Sequence, residues 1–83
     1  MYYVYILKSE KDNNHYIGYT NDLKRRFAEH NNAQNKSTKN RTPFQLVYYE
    51  AYLLKSSATK REAKLKKFKN SYSRLMERIY TNL

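Results

Sequence analysis

The chain of 83 residues has no cysteine, no tryptophan, one glycine and one proline. Without cysteine there is no disulfide framework, so stability must come from one modest apolar core, and a reducing, cytosolic setting is the default. No apolar run approaches the roughly 20 residues that cross a bilayer. The opening stretch MYYVYILKSE also lacks the charged region and cleavage site of a secretory leader. The expectation is a soluble, cytoplasmic protein without membrane association, forming a single domain over residues 1–83.

Acids are scarce as well: seven Asp and Glu stand against seventeen Lys and Arg, for a net charge of +10. The imbalance is local. Residues 1–34 carry five basic and four acidic side chains, whereas residues 35–83 carry twelve and three. Such a surplus suits a polyanionic partner, because each Lys or Arg that neutralises a phosphate releases condensed counterions. Its alternative is a merely basic surface or a ribosome-associated protein; charge names a class of partner and no chemistry.

What is present is aromatic and β-branched. YYVYIL reads as a strand, KSEKDNN as a polar turn and HYIGYT as a second strand, so residues 2–20 form a hairpin. TNDLKRRFAEHNN reads as a helix capped by Asn21 or Asp22. AQNKSTKNRTP has no apolar periodicity and reads as a basic loop stopped by Pro43. FQLVYYEAYLL is a third strand, with Phe44, Leu46 and Tyr48 expected on one face and Val47 and Tyr49 on the other. Ser56 or Ser57 would cap a helix through about Lys67, and a last helix places Leu75, Met76, Ile79 and Leu83 at helical spacing. The order ββαβαα predicts an α+β fold, a small three-stranded antiparallel sheet flanked by helices.

Two ionisable residues fall on helix faces that should meet the sheet. At about 100° per residue, Leu23, Phe27 and His30 share a narrow sector with Arg26 on its edge, while Lys24, Arg25 and Glu29 project elsewhere. On the next helix Glu62 lies between Ala58 and Leu65, on the apolar stripe. An inward charge without partners is costly. Either Arg26 and Glu62 pair at the rim or snorkel to water, or they share a pocket in which Glu62 holds a metal ion and Arg26 faces a phosphate.

These residues carry a resemblance. Tyr3–Tyr5 (YVY) and Tyr16–Gly18 (YIG), ten residues apart, are followed by DLKRRFAEH, STKNRTPFQLVYYEAY and KREAKLKKFK. In this order and spacing, over roughly residues 2–70, the chain resembles the GIY-YIG nuclease superfamily. It is most similar to the small single-domain group that looks like the N-terminal nuclease domain of the DNA-repair excinuclease.

The resemblance implies a metal-dependent endonuclease that hydrolyses DNA phosphodiester bonds. One Mg²⁺ or Mn²⁺ ion would sit on Glu62, with Tyr5, Tyr16, Arg26, His30 and Glu62 as the catalytic set. Structure-selective action on flaps, branches or damaged DNA in repair or recombination would suit such a protein, as a monomer or weak dimer, with a possible protein partner supplying targeting. The alternative is a nucleic-acid-binding module with the nuclease fold and little turnover. There are three departures: Tyr3 stands where the first signature has glycine, Tyr19 where the excinuclease domain has lysine, and Asn70 lies at the wrong distance for the asparagine that follows the family's glutamate.

In mechanism, Arg26 offers a planar fork to phosphate oxygens, and an ion on Glu62 acts as a Lewis acid. Tyr5 is the expected base, with Tyr16 and His30 positioning water and phosphate. A phenol of pKa near 10 needs the help of Arg26 and the metal for that role, while His30 titrates near neutrality and could relay the proton instead. Lys36, Lys39 and Arg41 in the loop and Lys60, Lys64, Lys66 and Lys67 on the helix are expected to touch phosphates. A register pairing Tyr5 with Tyr16 puts both on one face with Gly18, which becomes the bare floor of the pocket.

Overall fold

The computed structural model describes residues 1–81, so the Leu83 expected on the last helix lies outside the described residues. Strands β1 (Tyr2–Ser9), β2 (His15–Thr20) and β3 (Phe44–Tyr52) form one antiparallel sheet in the order β2-β1-β3. Helix α1 (Leu23–Asn31) follows the hairpin, and α2 (Lys55–Lys67) and α3 (Lys69–Tyr80) follow β3, which is the expected ββαβαα order. The most apolar strand, β1, takes the centre, where both of its faces are covered.

Those two faces separate the residues by parity. Val4 and Ile6 pack with Ala58, Leu65 and Leu75 beneath α2 and α3. Tyr5 and Leu7 pack with Phe44, and with Leu23 and Phe27 of α1 on the other side. The described helices include none long and apolar enough to cross a membrane.

Three local expectations are corrected. Opposite Ile6 stands Tyr48, but opposite Leu7 stands Leu46, so β3 carries one extra residue at Val47. This bulge breaks the alternation. Phe44 and Leu46 stay with the Tyr5 cluster, while Tyr48 crosses to the Val4–Ile6 side together with Val47, and Tyr49 is 54 % exposed. The hairpin is offset by two residues from the expected register: Tyr5 faces Gly18 and Leu7 faces Tyr16. An even offset keeps every side chain on its predicted face. Finally, α2 begins at Lys55, with Leu54 as its cap and no capping side chain, because the Ala58 amide already reaches the Leu54 carbonyl at 3.3 Å. Ser56 and Ser57 therefore lie inside the first turn. At α1 the cap is Asp22, whose Oδ1 accepts from the Arg25 amide at 3.1 Å.

The basic loop is short and tethered. Within it, Lys39–Arg41 make one 3-10 turn. Ser9 Oγ donates to the Arg41 carbonyl at 2.6 Å, and Arg41 Nε donates to Asp12 at 2.7 Å, so the loop is tied to the hairpin turn. Asn31 at the end of α1 exchanges hydrogen bonds with the backbone N–H and carbonyl of Phe44. Loop and helix are thus fixed against the start of β3.

Candidate active site

Gly18 explains how the α1 side is built. A Cβ placed on it would meet Tyr5 Cζ and Oη at 2.3 Å and Cε2 at 2.8 Å. The Tyr5 ring therefore lies flat against bare backbone, and only glycine leaves room for it. Gly18 is a floor, as expected from its face, but it supports the Tyr5 phenol directly and not an open space for phosphate. The two-residue register offset is the cause, since it sets Tyr5 opposite Gly18 instead of opposite Tyr16.

With its ring held there, Tyr5 is 1 % exposed and its Oη lies 2.9 Å from His30 Nε2. His30, on the inward face of α1, is fully buried, and its Nδ1 lies 2.8 Å from Thr38 Oγ1. Burial pushes the Tyr5 phenol up to about 12, with Tyr16 and Glu62 pushing the same way and the Arg26 guanidinium opposing. Burial, reinforced by Arg26, holds His30 down at about 4. Both groups are therefore neutral near pH 7. In the neutral pair, either Tyr5 donates to Nε2 and Nδ1–H donates to Thr38, or both bonds run the other way; each tautomer satisfies all three residues. Thr38 escapes sequence reasoning, because a threonine in a polar loop carries no periodic signal and its role depends on where the loop lands.

Tyr16 completes the cluster. Its ring centroid is 4.9 Å from His30 and 6.4 Å from Tyr5, and the residue is half-buried where Tyr5 is sealed. It also lines a groove of about 500 Å³ at the open edge of β2, together with Lys66, Lys67, Lys69 and Tyr72. Of the two signature tyrosines, Tyr16 is the one among the groove's lining residues; its ring packs on the Tyr5 side of the sheet, whereas Ile17 and Leu65, which also line the groove, pack on the α2–α3 side.

Arg26 sits above this cluster at the edge of the α1 stripe, as its spacing predicted. Its charge acts on Tyr5, and its Nη1 donates to Glu29 Oε1 at 3.0 Å. Glu29, expected to point elsewhere, instead pairs with both Arg25 and Arg26, and these bonds hold its carboxyl below the usual range. The ion pair weighed between Arg26 and Glu62 does not form. Each charge is satisfied by a neighbour on its own helix, because Glu62 Oε2 accepts from Lys66 at 3.1 Å. Glu62 belongs to α2, in the layer on the other side of the sheet, yet its charge is felt at Tyr5. The structure thus joins Tyr5, Tyr16, Gly18 and His30 by direct contact, brings Arg26 beside them, and leaves Glu62 at the margin.

The expected phosphate contacts divide. Lys66 and Lys67 border the Tyr16 groove. Lys36, Lys39 and Lys60 are exposed. Arg41 is committed to Asp12, whose carboxyl it holds down at about 2, and also stacks over Phe44 at 5.6 Å. Lys64 lies on the opposite flank of α2 from Glu62.

A divalent ion can be tested against these donors. Among the described residues no three His, Cys, Asp or Glu side chains cluster as a metal cage. The donor set on offer is a single carboxylate, Glu62, 23 % exposed and with Oε1 unbonded among the described residues. One carboxylate plus water and substrate phosphate is the environment Mg²⁺ accepts. Glu62 fits that ion.

The sequence matches the GIY-YIG catalytic domain over residues 1–76. A UPF0213 protein of Staphylococcus saprophyticus is 48 % identical over 68 residues, covering 81 % of this chain and 82 % of that protein. One from Listeria welshimeri is 45 % identical over 80 residues, covering 93 % and 88 %. In three dimensions, the solution NMR structure of a UPF0213 protein from Bacillus halodurans superposes with a TM-score of 0.59 at 33 % identity, covering 96 % of this chain and 86 % of that one. With Tyr5 set against Gly18, Tyr16 beside it and Arg26 on α1, and with the match over residues 1–76, the chain belongs to the GIY-YIG catalytic domain family, a family of nucleases.

Proposed function

We propose that this protein is a metal-dependent endonuclease that hydrolyses DNA phosphodiester bonds, with a preference for flapped, branched or damaged DNA. The observation that carries the reading is the Tyr5–His30–Tyr16 cluster on Gly18, with Arg26 above it and a basic groove opening beside Tyr16. A core built only for stability has no use for three polar rings and a guanidinium at one spot.

The residues divide the work. Tyr16, bordering the groove, orients and deprotonates the attacking water. Tyr5 does not meet that water, since it is sealed and held near pKa 12; it fixes His30 and supports Tyr16 from below. This revises the sequence expectation that Tyr5 is the base. Arg26 turns from Glu29 to the non-bridging phosphate oxygens, where a planar, permanently charged fork stabilises the charge of the transition state. Glu62 would hold the Mg²⁺ or Mn²⁺ ion, which when bound neutralises charge at the departing oxygen. Lys66 and Lys67 steer the backbone into the groove without reading sequence.

A second reading is favoured by one observation. Both key charges are paired within their own helices, Arg26 with Glu29 and Glu62 with Lys66; if no substrate breaks these pairs, the chain is a nucleic-acid-binding module with little turnover. The test is cleavage of linear, flapped and branched DNAs with Mg²⁺ or Mn²⁺, by the intact protein, Arg26→Ala and Glu62→Ala. Cleavage lost in both variants supports the nuclease. Equal cleavage by all three sinks it, and binding without cleavage by the intact protein establishes the module.

A further inference from the structure

A pocket of about 190 Å³ opens between α2 and α3, lined by Arg61, Lys64, Ser71, Arg74 and Arg78. It has no acidic lining residue. On α2 the inward stripe of Ala58 and Leu65 separates two flanks. At about 100° per residue, Glu62 and Lys66 lie on one, beside the Tyr16 groove, and Arg61 and Lys64 lie on the other. The pocket is therefore distinct from the candidate active site and sits across α2 from it.

The charges there are arranged at a cost to the free protein. Arg74 and Arg78 are four residues apart on one helix, a spacing at which like charges repel, and they face Arg61 and Lys64 across the pocket. Among the described residues, no ion pair engages Lys64, Arg74 or Arg78. Arg61 is aimed by Glu50, which accepts from its Nε and Nη2 at 2.9 Å and is itself held by the Tyr48 and Tyr52 hydroxyls. Its Nη1 has no bond among the described residues, and Ser71 adds a hydroxyl donor. A concave set of guanidinium forks, one ammonium and one hydroxyl, in which Glu50 engages Arg61 alone and no acid joins the lining, matches a phosphate diester.

We propose that this pocket is a second phosphate site, which grips the backbone of the bound nucleic acid on the far side of α2 from Glu62. The proposal rests on the nucleic-acid reading above and adds an anchor outside the cleft. It gives the protein two points of hold on one substrate, so a strand crossing α2 is oriented as well as bound.

The test is binding of a fluorescein-labelled DNA duplex, followed by anisotropy over a range of salt, with the full chain and no metal. Arg74→Gln/Arg78→Gln should weaken binding roughly 10- to 100-fold at about 0.1 M salt and lower the slope of log K against log salt by about 2. Ser71→Glu, which puts a carboxylate in the pocket, should weaken it as well. Lys11→Gln/Lys55→Gln removes the same charge from outside the pocket and should change affinity by less than about threefold. Thermal melts should show the glutamine pair folded at least as stably as the parent, since a like-charge pair is relieved.

Binding by both pocket variants equal to the Lys11/Lys55 control overturns the site, as does a parent protein that does not hold the duplex at all. Cleavage is scored separately. Weakened binding by the pocket variants with no cleavage by the parent removes the nuclease reading and leaves the site standing. Cleavage by the parent with unaltered binding by the pocket variants does the reverse.

Discussion

Beneath α2 and α3 the buried set is Val4, Ile6, Ala58, Leu65 and Leu75, all apolar; beneath α1 it includes His30, Thr38, Ser9 and Thr20 alongside Tyr5, Leu7 and Phe44. One strand serves both sides, since Ile6 and Tyr5 are neighbours in sequence and point in opposite directions. An apolar face excludes water and needs no particular partner. The polar face must satisfy each hidden group, and it does: no buried side-chain nitrogen or oxygen among the described residues lacks a hydrogen bond. One side accordingly supplies most of the cohesion, while the other spends some of its burial on holding reactive groups in place.

The contrast can be broken from either side. Ile6→Ala should produce the largest loss of stability, about 2–5 kcal/mol by denaturant unfolding, because it empties a fully buried site among Val4, Leu65 and Leu75. Cleavage per folded molecule should stay within a few-fold of the parent. A collapse of activity beyond the folded fraction would mean that the two faces are not separable.

The polar face should show itself in pH dependence. Unfolded, His30 titrates near 6.5, but in the fold it titrates near 4. Between these values the unfolded chain takes up a proton that the folded chain refuses, so stability is full above about pH 6.5 and falls as pH drops towards 4, by up to about 3 kcal/mol. His15 is lowered too, by partial burial and by Lys8 and Arg41, and adds to the fall in the same sense. The comparison therefore belongs in a His15→Gln background, where His30→Gln should flatten the slope between about pH 6.5 and 5, above the range in which the lowered carboxylates of Asp12, Glu29 and Glu50 add their own fall. An unchanged slope would show that the imidazole is not sealed in solution.

Gly18→Ala should cost less stability, about 1–3 kcal/mol, since its methyl must displace the Tyr5 ring from a closed position. Its effect on cleavage should exceed its effect on folding, in contrast to Ile6→Ala. Wild-type activity in folded Gly18→Ala protein would show that the seat of Tyr5 does not matter.

Much of this is legible in the sequence where one rule acts alone. The strand character of β1, a cap at Asn21 or Asp22 and the 3.6-residue spacing of Leu23, Phe27 and His30 each follow from local chemistry, and all three hold in the fold, with Asp22 as the cap. The resemblance marks the residues of the site without any knowledge of their contacts. Illegible are the facts that depend on two segments meeting. The Val47 bulge, which carries Tyr48 to the other face, is a property of the β1–β3 pairing. The register that seats Tyr5 on Gly18 is set by a turn whose length does not announce it. Thr38 beneath His30, and Glu29 folded back onto Arg26, are choices of partner that periodicity does not encode.

Water activation rests most directly on Tyr16, the signature tyrosine that borders the groove. Single-turnover cleavage by Tyr16→Phe, measured with saturating Mg²⁺ beside its denaturant midpoint, should fall by about 10²- to 10⁴-fold while the midpoint stays close to that of the parent. Cleavage by Tyr16→Phe at the parental rate would contradict this role, since the Tyr16 hydroxyl would then take no part in activating water.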